Sequence, residues 1–451
     1  MATYSAGSLS ANGARTAGTS NTDFHTRRLF DFSDRVAELS PDESPFFVYL
    51  SKVAKVPTTD SQFRFLEDRT KVSITDRAFL AQAAVTVAAA GSATSVTFDT
   101  VGGANVAWLI PGMVVSIGED DDSTSQPEWV TVRVNSVVQS SATVTTANVT
   151  TIAAANGSTT AVDNNTKCTV IGTAFEEGSG APDVWSQKLD HDYGYTQIFK
   201  TACEMSNTAR AQVYRGYADE WQRIWNLKLR EHKVDIERAM LFGMRGTANS
   251  INYTDGIAGH IIANSQSQAV LDGSQLSYTE DKAYLKSNTA AQWTYDDLLS
   301  DFEVIFDPAR GGSSAKLALA SLPVISHFNK LSGFVDNSMA VASDAASIAY
   351  NFEKSTGSFG HRIMKIETVH GDISLVKEPL FRGMSAGFLC MVDLDHVSYR
   401  PLVGNGINRD TSIQTNVQAA DEDLRKDMIL TEAGLEVSLP ETHALINLEG
   451  V

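Results

Sequence analysis

The sequence is short of positive charge, of cysteine and of long apolar runs, and each shortage closes off a class of function. Lys and Arg number 36 against 54 Asp and Glu, a formal net charge of −18 over 451 residues. Tight non-specific binding to nucleic acid or to an anionic membrane depends on surplus cations, so neither is expected. Three cysteines, Cys168, Cys203 and Cys390, are an odd number set far apart. They imply no disulfide framework, fit a reducing compartment and read as buried small hydrophobes. No segment approaches the roughly 18 uninterrupted apolar residues that a membrane span requires. The opening MATYSAGSLSANGARTAGTSN lacks the apolar centre of an export signal, so neither secretion by a standard signal nor membrane insertion is expected.

Chemistry is missing as well. The chain has no Walker loop, dinucleotide glycine fingerprint, HExxH pair, CxxC pair or GxSxG elbow. The best metal candidate is Glu119, Asp120, Asp121 and Asp122, because hard cations take several carboxylate oxygens. Their spacing does not fit an ordered calcium loop, and a solvated acidic turn is the plainer reading. His191-Asp192 and Asp395-His396 each offer a carboxylate that can orient an imidazole, yet neither has a Ser or Cys nucleophile tied to it. No catalytic residue and no cofactor is expected, and the chain does not read as an enzyme.

What is present is extended architecture. From Ser206 to Phe242 the chain runs without proline and with one glycine, Gly216. This predicts a single long spine helix, capped by Ser206, Asn207 or Thr208 and stopped by a left-handed Gly243. Tyr214, Tyr217, Trp221, Trp225, Leu229, Ile236 and Met240 form its apolar stripe, interrupted by Lys228 and His232. Asp219, Arg223, Arg230 and Glu237 are expected on the solvent side. Residues 1–29 carry Arg15, Arg27 and Arg28 against Asp23 and lack periodicity, which predicts an arm that orders only against something else. Gln62-Phe63-Arg64-Phe65 and Tyr195 to Lys200 read as strands that pair in one long hairpin.

Between those strands, 79–183 is rich in Val, Thr, Ala, Ser, Gly and Asn in short β-branched runs, which predicts an inserted all-β sandwich or barrel. It holds ten acidic residues against Arg133 and Lys167, a net of −8. An insertion inside a hairpin is expected to fold by itself and point outward. Beyond the spine, Thr294 opens a capped helix, Lys316 to Ala320 reads as a buried strand leading to a helix at Pro323, and 362–366, 372–376 and 387–392 read as strands. The fold class is α+β.

This order of elements resembles the major capsid protein of tailed phages, the Hong Kong 97-type fold. Glu38 to Phe47 (ELSPDESPFF), with Pro41, Pro45 and Phe46, is similar to the turn after the arm in one family of phage major head proteins. Thr196-Gln197-Ile198-Phe199, Ser206, Thr208, Asp235-Ile236-Glu237-Arg238 and Gly243 resemble its strand and spine. Asp393 to Val397 and Gly434-Leu435-Glu436-Val437 resemble its late strands. The resemblance implies an N-terminal arm (1–45), an extended hairpin loop (46–78 and 184–205), an inserted β-sandwich-like domain (79–183), a spine helix with a peripheral domain (206–290) and an α+β axial domain (291–451) whose last strands return to the peripheral one. It further implies a subunit of an icosahedral head, in hexamers and pentamers, located in the virion after assembly in the host cytoplasm. DNA is enclosed without sequence-specific binding, and portal, scaffold or decoration proteins are potential partners. Arg27, Arg28, Phe63, Phe65, Ile198, Phe199, Trp221 and Trp225 are the expected assembly contacts. A nanocompartment shell and an exported surface-layer or adhesin protein are the alternatives.

Overall fold

The structure, a computed structural model, describes residues 46–47, 50, 55–68, 78–81, 85–87, 90–99, 106, 108–119, 128–139, 144–154, 160–162, 166–184, 189–214, 219–265, 283–290, 292–307, 310–328, 352–356, 362–368 and 370–450. The arm, with Arg27 and Arg28, lies outside them. Phe46 and Leu50 are helical and fully buried in the main core.

Strand β1 (Gln62–Glu67) comes first. Eight strands follow: β2 (Ala78–Ala81), β3 (Val85–Val87), β4 (Ala93–Asp99), β5 (Met113–Glu119), β6 (Glu128–Gln139), β7 (Thr145–Ala154), β8 (Thr160–Val162) and β9 (Thr166–Thr173). Strands β2, β4, β7, β6, β5 and β9 close in that order into an antiparallel barrel, and β3 pairs with β8 as a separate ribbon. The sandwich-like expectation for 79–183 is thereby corrected to a barrel. The short β2 pairs with both β4 and β9, so the sheet has no free edge. Register breaks at Val114/Val115, Thr131/Val132 and Val134/Ser136 supply the bulges that curve it. Alternate residues point inward: Val96 and Phe98, Val115 and Ile117, Val130, Val132 and Val134, Ala147 and Val149 fill a core with Phe79 and Cys168.

Strand β10 (Asp190–Tyr195) returns along β1, with Gln62 opposite Tyr195 and Glu67 opposite Asp190. The next strand, β11 (Gln197–Ser206), leaves the hairpin. The run from Tyr195 to Lys200 is therefore divided at Thr196, whose N–H donates to Ser61 O at 2.9 Å. The division follows from burial, because Phe199 and Cys203 alternate with exposed residues and must cover a core that a free hairpin lacks.

The predicted single spine helix is two helices. Helix α1 (Asn207–Ala211) is capped by Ser206, and α2 (Glu220–Phe242) is capped by Asp219, whose Oδ1 accepts from Gln222 N at 3.3 Å. Val213, just after α1, is 99% exposed and so has no packing to carry that helix on. The 23 residues of α2 span about 35 Å at the usual helical rise. Its buried residues are His232, Ile236, Glu237, Met240 and Leu241. Glu237, expected on the solvent side, is thus buried, Tyr214 lies off the helix, and Tyr217 falls outside the described residues. Gly243 is extended (φ −58°, ψ 155°) and not left-handed. A ribbon, β12 (Gly246–Ala248) and β13 (Ile251–Tyr253), then leads to α3 (Ile257–Asn264).

The remaining body contains β14 (Tyr284–Thr289), α4 (Tyr295–Ile305), β15 (Ala315–Ala320), β16 (Phe352–Thr356), β17 (Arg362–Glu367), β18 (Asp372–Lys377), β19 (Phe388–Val392), β20 (Val397–Pro401), the two-residue strands β21 (Val403–Gly404) and β22 (Ile407–Asn408), β23 (Ser412–Gln414), β24 (Leu424–Val437) and β25 (Ala444–Glu449). A mixed seven-stranded sheet runs β14-β25-β19-β15-β18-β17-β16, and a second sheet runs β11-β24-β20 with β23 also on β24. Thr294 and Asp297 form a capping box at the start of α4, which seats Leu298, Phe302 and Ile305 against Leu375, Met391 and Ile446 of the large sheet. The sheet's other side joins α2, α3, Phe46 and Leu50 in a separate core.

Candidate functional site

Large apolar side chains stand exposed on the β1/β10 hairpin and about the β12/β13 ribbon, and Trp221 and Trp225 are half-buried on the first half of α2. The hairpin is rooted by Phe63, which is buried. Its ring occupies the space that a Cβ on Gly194 or Gly434 would take, at 2.4 and 2.8 Å, and the Arg400 guanidinium stacks 5.7 Å from it. Phe199 is buried beneath the β11/β24 sheet. Phe63 and Phe199, both expected at an assembly interface, are therefore internal anchors. Phe65 is half-buried, and Ile198 is 49% exposed on the opposite face of β11.

Arg245 ties hairpin to ribbon. Its guanidinium donates to Asp192 Oδ1 at 2.5 Å and to Tyr193 O at 2.8 Å, and it lies 4.7 Å from the Tyr193 ring. Tyr193, Leu66 and Leu189 of the hairpin, together with Met244, Ile251 and Tyr253 about the ribbon, leave apolar surface in solvent. Asp192 thus serves an ion pair and not an imidazole, and its neighbour His191 stands exposed opposite Leu66.

On α2, Trp221 is half-buried between two arginines, Arg425 at 4.9 Å and Arg210 at 5.9 Å, and Trp225 is half-buried one turn on. His232 bonds Thr201 Oγ1 through Nδ1 and Thr431 Oγ1 through Nε2, both at 2.9 Å, which fastens α2 across β11 and β24. Burial holds this imidazole below the usual histidine range. The sequence offered His232 only as an interruption of a stripe. Its partners lie 31 and 199 residues away, a separation that no periodicity reports.

No catalytic constellation forms among the described residues. The three cysteines are buried and free, and burial pushes the Cys390 thiol up to about 12. Asp395 and His396 belong to a one-turn helix in which the Asp393 side chain accepts from Asp395 N at 3.1 Å. Glu119 ends β5, while Asp120, Asp121 and Asp122 lie outside the described residues. Among the described residues no group of three or more His, Cys, Asp or Glu is placed to hold a metal ion, and no helix is long and apolar enough to cross a membrane.

The polar groups that are buried serve the fold. Lys316, sealed from solvent, donates to Thr442 O at 2.7 Å and sits 3.8 Å from Asp393, whose carboxylate also accepts from Ser313 N at 2.6 Å. Burial lowers the Lys316 pKa. Asp393→Ala is expected to cost about 3 kcal/mol, because it strands an ammonium and two backbone donors, whereas Lys316→Met is expected to cost less than about 1 kcal/mol. Urea unfolding of the two variants reads the asymmetry, and equal losses would refute it.

Sequence comparison matches residues 14–449 to a family described as SU10 major capsid protein. A curated relative, the major capsid protein of Pseudomonas phage PaMx41, is 38% identical over 98 residues, which is 21% of this chain and 23% of that protein. The matched stretch spans about a quarter of that relative's length. Among solved structures, a chain of the Cyanophage A-1(L) capsid aligns over 94% of this chain and 98% of its own at 8% identity and a TM-score of 0.46. One from Microbacterium phage Oxtober96 aligns over 95% and 98% at 11% identity and a TM-score of 0.42. One from the SrpI encapsulin complex of Synechococcus elongatus PCC 7942 aligns over 57% and 77% at 11% identity and a TM-score of 0.36. With the family match running over nearly its whole length, the chain belongs to the SU10 major capsid protein family.

Proposed function

We propose that the chain is the repeating subunit of an icosahedral phage head, a structural and non-enzymatic role, assembled in the host cytoplasm into hexamers and pentamers around packaged DNA. The observation that carries this reading is the family match over residues 14–449. Its physical support is surface that one chain does not bury: the hairpin and ribbon residues around Arg245, and Ile198 on β11. A net charge of −18 also suits a container, since a strongly basic lining would hold the genome by its phosphates. At the finer level, we read the β1/β10 hairpin as the extended loop of a Hong Kong 97-type subunit, α2 as its spine and the seven-stranded sheet as its axial domain. Ile198, Phe65, Trp221 and Trp225 remain candidates for contacts between subunits, and portal, scaffold or decoration proteins remain candidate partners.

Expression followed by sizing and negative-stain microscopy tests the reading. Closed shells are expected, while a chain that stays monomeric under all conditions would overturn it. Shells purified with a guest enzyme in place of DNA would favour a nanocompartment.

The barrel is proposed to be an independent unit that faces outward and braces or decorates the shell. Its core shares no residue with the two cores of the body. Replacing 79–183 by a Gly/Ser linker is expected to leave the body's cooperative unfolding in place and to remove one transition from the calorimetric trace. An insoluble product would count against independence.

A further inference from the structure

Strands β14, β25, β19 and β15 of the large sheet come together around one buried imidazole. His443, 1% exposed, leads into β25, and its carbonyl accepts from Tyr284 N of β14 at 3.3 Å. Its Nδ1 accepts from the N–H of Asp393, the residue after β19, at 3.1 Å. On β15, Lys316 Nζ donates at 2.7 Å to the carbonyl of Thr442, one residue before the histidine. A ring nitrogen that accepts from an N–H carries no hydrogen, so Nδ1 is bare and the single hydrogen of the ring is on Nε2. The contact thus assigns both tautomer and charge, and this histidine is neutral.

A second proton would have to enter at Nδ1, where it turns the acceptor into a donor that points at another donor. It would also set a second cation beside the buried Lys316 ammonium. The carboxylate nearest that ammonium, Asp393 at 3.8 Å, already accepts from Ser313 N at 2.6 Å and Asp395 N at 3.1 Å. The neighbouring elements bring further titratable groups. His260 of α3, which packs against β25, bonds Asp255 through Nδ1 at 2.7 Å, and His396 lies with Asp395 in the turn after β19. Arg310 donates to Glu441 O at 3.1 Å, and Glu67 of β1 accepts from Leu439 N at 2.9 Å. Burial, followed by the charge of Lys316, lowers the His443 pKa well below the usual histidine range.

We propose that His443 is an acid-sensitive lock on this end of the large sheet, and that proton uptake at Nδ1 breaks the bond from Asp393 and releases the turn into β25. The folded state takes the proton less readily than the unfolded chain does. The lock is therefore complete above the ordinary histidine value of about 6.5 and weakens as pH falls from there toward the depressed one. Tyr284 hangs on the same residue, so opening loosens β14 together with β25.

Hydrogen exchange at the Asp393 amide tests this in the full chain, followed by mass spectrometry from about pH 7.5 to about pH 5 and corrected for intrinsic exchange. Wild-type protection is expected to fall about tenfold per pH unit below about 6.5, the slope for uptake of one proton on opening. In His443→Asn the amide oxygen takes the place of Nδ1 as acceptor and nothing titrates, so its profile is expected to be flatter by that slope. Equal slopes in the two proteins would overturn the proposal. Should the variant fail to fold, exchange of the His443 ring Cε1 hydrogen in wild-type protein decides, because that exchange proceeds through the imidazolium. A midpoint below about 6.5 supports the lock, and one at or above that value overturns it.

Discussion

Asp301→Ala is expected to destabilise the body by about 3 to 5 kcal/mol, among the largest losses available to a single side chain here. Asp301 is 1% exposed on α4, and its carboxylate collects three donors. The Tyr284 hydroxyl donates to Oδ1 at 2.8 Å, the Lys286 ammonium donates to the same oxygen at 2.5 Å, and the Trp293 indole N–H donates to Oδ2 at 2.9 Å. Alanine would leave the tyrosine and tryptophan donors buried with nothing to accept from them. It would also open a cavity between α4 and β14, where Trp293 packs edge-on to Phe328. Burial and the nearby carboxylate already hold the Tyr284 phenol above its usual range, so the hydroxyl cannot offset the loss by ionising. Tyr284→Phe removes one bond and is expected to cost about 1 kcal/mol. Urea unfolding followed by tryptophan fluorescence compares the two. A loss for Asp301→Ala no larger than that for Tyr284→Phe would show that the three donors do not depend on this carboxylate.

Such clusters mark where the sequence stops being readable. Local signals survived into the structure. Thr294 and Asp297, three residues apart, form the box that their spacing predicts, and the β-branched alternation of β5, β6 and β7 is that of strands with one buried face. The long helix was misread because absence of proline says only that a helix is permitted. Asp219 is a good cap in the middle of the run, and Val213 and Tyr214 are exposed, so two capped helices satisfy more backbone groups than one. Glu237 was misplaced for a related reason. Helical period assigns a face by the average polarity of a stripe, and a donor that makes a buried glutamate tolerable, the Phe46 N–H, comes from 191 residues away. Phe63 and Phe199 show the same limit in reverse. An aromatic in an amphipathic strand can face its own body or a neighbour's, and Gly194 and Gly434, whose missing side chains make room for the Phe63 ring, are visible as its partners only once the strands are paired.

Gly259→Ala is expected to lower stability by about 3 kcal/mol although it adds a single methyl group. The end of α2 and the start of α3 cross through Gly243, Gly256 and Gly259, and the backbones touch. A Cβ on Gly259 would lie 2.2 Å from Gly243 O, and one on Gly256 would lie 2.4 Å from Gly243 N. The Gly256 N–H donates to Gly243 O at 3.0 Å, so the carbonyl that blocks the methyl is itself held by the crossing. Torsion is not the constraint, since Gly243 and Gly256 have ordinary negative φ of −58° and −117°. Space is, and backbone cannot rotate away as a long side chain can. Moving α3 to relieve the contact would drag Ile257 and Ile261 out of the main core, together with His260, whose Nδ1 bonds the buried Asp255 at 2.7 Å. The same core holds the buried half of α2, so the loss is expected to appear as global unfolding at lower denaturant and not as local fraying. Gly246→Ala is the control, because a Cβ there meets nothing within 4 Å, and its effect is expected to stay within about 0.5 kcal/mol. Equal midpoints for the two variants in urea would mean that α3 can slide at no cost, and that the glycine crossing does not set how α2 is held to α3.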